Sequence, residues 1–309
     1  MSTFHFNVNS SARVPSTGPA NPPIPMHPEG WEHPLARMRE AQRRMWPSGR
    51  PNIPGLDYHA GWRTGALPGA SAGRAFDYLD YFEMDGGNLG LAIGEVAGDT
   101  HAETGAAAAL LLSSLHALVR SMEAQSDASV ATLVRSIHDV LYDASPESGS
   151  ATLFVARYDP IEHRLDYCNA GQAAPVLLRQ AGSRRRAILL ENGGPMVGVL
   201  RRSAFRQGSI RLQPGDILAA FTAGLTDAVD SGGEVWGYRR LLAAIESAAQ
   251  QPARDIVGRV FEEVRCFTGS SPRTRDMTLW VGRIEQAMAT SPELELAAEE
   301  PAETAVLAA

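Results

Sequence analysis

The chain has 309 residues, enough for one large domain or two small ones, and 44% hydrophobic against 20% charged residues is a composition that buries a core. No apolar stretch nears the roughly 20 residues of a membrane-spanning helix, no basic-then-apolar leader opens the chain, and a net charge of -7 speaks against a general nucleic-acid binder. Two cysteines, Cys168 and Cys266, are too few for a disulfide framework. The expectation is a cytoplasmic protein, with neither a membrane nor a nucleic acid as partner. All 28 residues counted as Lys or Arg are Arg. An arginine keeps its proton at working pH, so lysine-base and Schiff-base chemistry are excluded.

Residues 1–30 hold six prolines among Ser, Asn and Gly without apolar periodicity, which reads as disorder. Residues 31–50 read as an entry helix and linker: Leu35, Met38, Met45 and Trp46 share a face, Arg37, Arg39, Arg43 and Arg44 carry charge elsewhere, and Pro47 stops it. One domain is expected over 51–286. Leu89–Val96 reads as a buried strand, and an apolar helix follows over about 104–123. In a second helix Val130, Leu133, Val134, Ile137, Val140 and Leu141 recur at helical spacing, with His138 on the wet side. Strands are predicted at 151–158, 164–169, 176–179, 209–212, 217–222 and 277–284, and helices at about 238–249 and 253–267. Arg184, Arg185 and Arg186, like Arg201 and Arg202, read as loops, either merely solvated or a dock for an acidic or phosphorylated partner. Residues 287–309 carry Glu293, Glu295, Glu299, Glu300 and Glu303 with no basic residue, an acidic disordered tail. Strands and helices come in blocks, which favours an α+β class with antiparallel sheets and helices outside them.

Carboxylates cluster at strand ends: Asp77 and Asp80 in AFDYLDYF, Glu95 in GEVAGD, Asp227 after TAGLT, Asp276 before MTLWV. Such groups either cap turns and helices or converge on a hard divalent cation, which takes oxygen ligands.

At these same segments the chain resembles the SpoIIE-like branch of the PPM-type, metal-dependent protein serine/threonine phosphatases. REAQRRMWPSGRPNIPGLDYHAGWR resembles the family's entry helix and first strand. AFDYLDYF stands where the family has Gly-Gly-Asp-aromatic-aromatic-Asp-Phe, and GEVAGD where it has Gly-Asp-Val-Ser-Gly. ATLFVARYDPIEHRLDYCNAGQAAPVLLR is similar to its central hairpin; GGPMVGVL, LQPGDILAAFTAGLTDA and RDMTLWV follow in order. The resemblance implies two antiparallel sheets sandwiched between helices, and two Mn²⁺ or Mg²⁺ ions that activate a water against a phosphoserine or phosphothreonine.

Carried over position by position, the implied metal ligands are Asp77, Glu95 in place of the bridging Asp, and the carbonyl of Val96. Ala223 stands at the third carboxylate position and Arg275 at the fourth, so both are degenerate. A guanidinium about 4 Å from a divalent ion would repel it by about 8 kcal/mol at an effective dielectric near 20. Three readings stay open. The first is an active Mn²⁺- or Mg²⁺-dependent phosphatase that recruits Asp80, Asp99, Asp227 or Asp276 as substitute ligands. The second is a pseudophosphatase without a cofactor, in which Arg275 pairs with Asp77 or Glu95 and the fold binds proteins. The third is a one-metal protein. The family further implies bacterial partner switching, with a phosphorylated anti-sigma-factor antagonist or its kinase as partner, and a homodimer through the entry helix is expected.

Overall fold

A computed structural model describes residues 40, 42–47, 49–65, 74–98, 104–125, 127–144, 150–182 and 184–285. Its strands are β1 (Leu56–Arg63), β2 (Arg74–Met84), β3 (Asn88–Gly98), β4 (Ala151–Asp159), β5 (Arg164–Ala170), β6 (Val176–Ala181), β7 (Arg184–Leu189), β8 (Gly193–Gly194), β9 (Gly208–Arg211), β10 (Ile217–Phe221) and β11 (Met277–Ile284). The helices are α1 (Thr104–Arg120), α2 (Val130–Ala144), α3 (Ala223–Thr226), α4 (Gly237–Ser247) and α5 (Ala253–Thr268), with a 3₁₀ turn at Ser121–Ala124.

The strands form two sheets, ordered β1-β11-β10-β6-β7 and β2-β3-β4-β5-β8, with β9 paired to β5. All pairs are antiparallel except β5 with the two-residue β8, which is parallel. Side chains alternate between faces along a strand. In β4, Leu153 and Val155 therefore face α1 and α2, while Phe154 and Ala156 face the other sheet. Both faces are covered, so the strand is apolar throughout instead of alternating. Leu112, Leu115, Val119, Val134 and Leu141 of α1 and α2 pack on the second sheet. Ile245, Ile256, Val260 and Val264 of α4 and α5 pack on the first. Leu79, Ile93, Phe154, Tyr58 and Trp280 fill the space between the sheets. The expected α+β sandwich, helices outside two sheets, is what the chain forms.

Three of the differences from the sequence reading bear on packing. Arg184–Leu189 is a strand, not a loop: a run of three arginines hides an edge strand from which Ile188 packs against the core between the sheets. Val140 is 46% exposed; it lies at the margin of the α2 stripe. His138 is buried, with its ring against Tyr142 and Phe205 and its Nδ1 accepting the Gly198 amide at 3.1 Å. It stands four residues after the buried Val134, so it shares that flank.

Of the entry helix, the described residues are Glu40 and Gln42–Met45, followed by Trp46, which is buried edge-on against Trp62 at 4.0 Å. Residues 1–39 and 286–309, which include both predicted disordered ends, lie outside the described residues. Beside the site, β3 and β4 approach so closely that a Cβ on Gly94 would stand 2.2 Å from the Thr152 carbonyl oxygen. Only glycine fits there.

Candidate functional site

Asp77 of β2 and Glu95 of β3 are direct cross-strand partners, so both carboxylates leave the sheet on the same face. That face looks onto the end of β10 and the start of β11. There, two threonines interrupt apolar runs. Thr222 Oγ1 and Thr278 Oγ1 donate to Asp77 Oδ2 at 2.8 and 2.6 Å, and the Thr278 amide donates to Thr222 Oγ1 at 2.9 Å. Asp77 Oδ1 is buried with no hydrogen-bond partner among the described residues. Burial, with Asp276 and Glu95 nearby, pushes the Asp77 carboxyl well above the usual carboxylate range.

The entry helix reaches this cluster through one side chain. Gln42 Nε2 donates to the Asp77 carbonyl at 2.8 Å and to Asp276 Oδ2 at 3.1 Å, while the Gly65 amide donates to Asp276 Oδ1 at 2.8 Å. Asp276 is thus a brace between the entry segment and the strand β11 that it precedes.

Glu95 has a different environment. Its Oε1 takes the Arg275 guanidinium at 2.8 Å, and its Oε2 accepts the Ala223 amide at 3.3 Å. The second arm of Arg275 reaches Asp227 Oδ2 at 2.6 Å. Burial raises the Glu95 carboxyl and Arg275 opposes the rise. Behind Glu95, its amide donates to Thr152 Oγ1, whose hydroxyl bonds Gln172 Oε1 at 2.5 Å, and Gln172 Nε2 holds the Phe221 carbonyl at 3.0 Å. Asn169 fixes the Gln172 backbone across a turn where Gly171 has φ 76°. The Asn169-Ala170-Gly171 motif thus props the site from behind.

The structure therefore brings together Asp77, Glu95, Thr222, Thr278, Arg275 and Asp227, with Asp276 beside Asp77 but hydrogen-bonded to Gln42 and Gly65, and directs Asp80 away from them. Asp80 is an odd number of residues from Asp77 and points to the helix face, near His116 at 3.5 Å and Arg120 at 3.7 Å. Asp276 is taken up by Gln42 and Gly65. Val96 lies within β3, paired opposite Phe76 and Ala151. A residue with a strand on each side sends its carbonyl toward one of them. Asp99 lies outside the described residues.

These residues do not fit the two-metal centre that the fold family implies. Among the described residues no three Asp, Glu, His or Cys side chains converge as a metal site. Ala223 offers an amide hydrogen where a cation needs an oxygen. One guanidinium already pairs with both Glu95 and Asp227. Sequence reasoning missed Gln42, Thr222, Thr278 and Thr152. The signal for Gln42 was available: it stands four residues after Met38 and three before Met45, a polar residue on the apolar stripe.

Asp80 yields a stability prediction. Burial raises its carboxyl to about 6 from an ordinary 3.8, Arg120 opposing. A raised folded-state value means that the folded chain binds the proton better. Asp80 then costs nothing below pH 3.8, and its cost grows as pH rises to about 6. Asp80→Asn mimics the neutral acid and is expected to stabilise the fold by about 2 kcal/mol at pH near 8 and by nearly nothing near 4. Urea unfolding of both proteins at the two pH values checks this.

A family model described as Stage II sporulation protein E (SpoIIE) matches residues 85–285. Protein IcfG of Synechocystis sp. is 24% identical over 255 residues, which cover 72% of this chain and 37% of that protein. Among solved structures, the RsbU and RsbW domains of Rv1364c from Mycobacterium tuberculosis superpose with a TM-score of 0.61 at 24% identity, covering 76% of this chain and 61% of that one. The SiaA-PP2C domain of Pseudomonas aeruginosa gives a TM-score of 0.60 at 17% identity, covering 81% and 96%. The PP2C phosphatase domain of SpoIIE from Bacillus subtilis gives 0.53 at 16%, covering 74% and 63%. At these identities the superpositions speak for the fold, and the chain spans well under two thirds of IcfG. The family match covers most of the sandwich from the β2–β3 turn onward, and the chain belongs to the SpoIIE family of PPM-type phosphatase domains.

Proposed function

We infer that this domain acts by binding proteins, as a pseudophosphatase in a partner-switching circuit, and not by hydrolysing phosphate esters. The observation that carries this reading is the Arg275 guanidinium held between Glu95 and Asp227. One permanent cation there does the electrostatic work of a metal, holding β3, α3 and the segment before β11 together. It does so without an open coordination position, so it cannot activate water. The scaffold around it, from Thr152 and Gln172 to Thr222 and Thr278, is kept polar and fully built. The class of partner follows from the family and from Rv1364c, whose structure joins RsbU and RsbW domains. It is a phosphorylated regulatory protein of the anti-sigma-factor antagonist type, or its kinase.

One observation favours a second reading. Among the described residues Asp77 Oδ1 is a buried oxygen without a hydrogen-bond partner, which a single cation would satisfy. Such a protein would hold one structural Mn²⁺ or Mg²⁺ and still lack the second ion.

The test is turnover of a phosphoserine peptide by the purified chain with Mn²⁺ present, beside Asp77→Ala. The pseudophosphatase reading expects both proteins at the blank rate. Turnover that Asp77→Ala abolishes would establish an active phosphatase with a shifted ligand set.

A further inference from the structure

We propose that the free edge of β7 is a docking strip for the acidic stretch Glu293–Glu300 of this same chain. β7 ends the first sheet, so among the described residues one side of it has no neighbouring strand. Its exposed residues are Arg184, Arg186, Ala187 and Leu189. Among the described residues neither Arg184 nor Arg186 has a carboxylate within ion-pair distance. The arginines beside them are spoken for: Arg179 holds Asp216 through Nε and a terminal nitrogen, and Arg185 donates to the Gly215 carbonyl at 2.9 Å. Among the described residues the strip therefore offers backbone groups without a neighbouring strand and two guanidinium groups without a carboxylate partner.

The acidic stretch has the matching pattern. Pro292-Glu293-Leu294-Glu295-Leu296 alternates with period two, which puts both glutamates on one face of an extended segment and both leucines on the other. β7 alternates in the same sense. Arg184 and Arg186 share one face, and Arg185, Ala187 and the 42% exposed Leu189 share the other. A strand entering beside β7 from the end of β11 would run parallel to it, with Glu293 and Glu295 opposite Arg184 and Arg186, Leu294 beside Arg185 and Leu296 beside Ala187, diagonal to Leu189. Pro292 suits the first position of such a strand, where no amide is needed.

The reach is sufficient. The Ile284 amide bonds the Asp216 carbonyl, Asp216 pairs with Arg179, and Arg179 stands opposite Arg186, so the end of β11 lies in the same row as the arginines. A strand added beyond β7 would lie four spacings from β11, about 19 Å at about 4.8 Å each. The stretch from 285 to 293 spans up to about 26 Å at about 3.3 Å per residue. Exposed ion pairs are individually weak, but main-chain bonds add to them and tethering supplies a high effective concentration. The strip lies at the Asp216 end of β10 and the candidate site at its Thr222 end, roughly 20 Å away at strand rise. Docking there leaves the site open to a partner.

The alternative role for arginines on a sheet edge is to keep other chains off it. Hydrogen exchange of the full-length chain separates the two. The proposal expects the β7 amides that face away from β6 to exchange about ten-fold faster in Glu293→Gln/Glu295→Gln and in Arg184→Glu/Arg186→Glu. It expects protection to return when Arg184→Glu/Arg186→Glu is combined with Glu293→Arg/Glu295→Arg, and to weaken from about 0.05 to about 0.5 M salt. The glutamine variant leaves every described residue unchanged, so it tests docking without altering the sandwich. Equal β7 exchange in wild type and the glutamine variant would overturn the proposal and leave the arginines as an edge guard. Protection that rises with protein concentration would overturn it in favour of a strand from a second copy.

Discussion

Arg275→Met is expected to destabilise the domain by about 2 kcal/mol at pH near 8. Breaking a fully buried ion pair costs about 3–5 kcal/mol, because one charge is left without compensation. Here the Arg275 side chain is 33% exposed and Glu95 8%, so solvent screens part of the loss. The buried group left stranded is Glu95, whose carboxylate keeps, among the described residues, the Ala223 amide at 3.3 Å. Its carboxyl is already raised by burial, and removal of the guanidinium raises it further. A raised carboxylate loses stability as pH rises through its folded value, so the deficit should shrink as the buffer falls toward 4.5. Glu95→Gln in the Arg275→Met background should recover most of it, giving a coupling energy of about 1–2 kcal/mol in a double-mutant cycle. An effect within about 0.5 kcal/mol would mark Arg275 as an ordinary surface residue.

The larger effect is expected from rebuilding the centre. Ala223→Asp with Arg275→Asp removes the cation and places two carboxylates beside Glu95 and Asp77. Without metal this variant carries uncompensated negative charge and should melt below wild type. With Mn²⁺ it should recover. If the new site binds with a dissociation constant near 10 μM, about 1 mM Mn²⁺ stabilises it by about 2.7 kcal/mol, while wild type gains nothing. Thermal unfolding with and without Mn²⁺ reads both arms. Glu95→Asp added to the pair shortens the bridging side chain by one methylene and should tighten binding again. A variant that stays folded and gains no Mn²⁺ response would show that the backbone, and not merely the ligand side chains, has departed from catalytic geometry.

Much of the fold was legible because its helices and strands are strongly patterned. The α2 stripe, the β4–β5 hairpin and β11 each bury a face that the sequence period marks. β7 was not legible, since arginines carry neither strand alternation nor turn character and the strand is held mostly by its ladder to β6. The site divides in the same way. Asp77 and Glu95 stand on strands whose register a motif fixes, so their meeting could be expected. The partner of Arg275 could not be read from spacing: Glu95 and Asp227 are distant in sequence, and the choice between Asp77 and Glu95 rests on which carboxylate the threonines already hold. Thr222 and Thr278 occupy Asp77, so the guanidinium goes to Glu95. Asp80 and Asp276 were candidate substitute ligands; strand parity turns Asp80 to the helix face, and Asp276, beside Asp77, is hydrogen-bonded by Gln42 and Gly65.

Calorimetric titration of the wild-type chain with Mn²⁺ tests the central claim most directly. A guanidinium in place of a metal predicts no heat of binding up to about 1 mM Mn²⁺, because any ion at Glu95 must first displace Arg275 against a like-charge repulsion of several kcal/mol. Micromolar binding of two ions, lost in Asp77→Ala, would contradict it and return the domain to the catalytic members of its family.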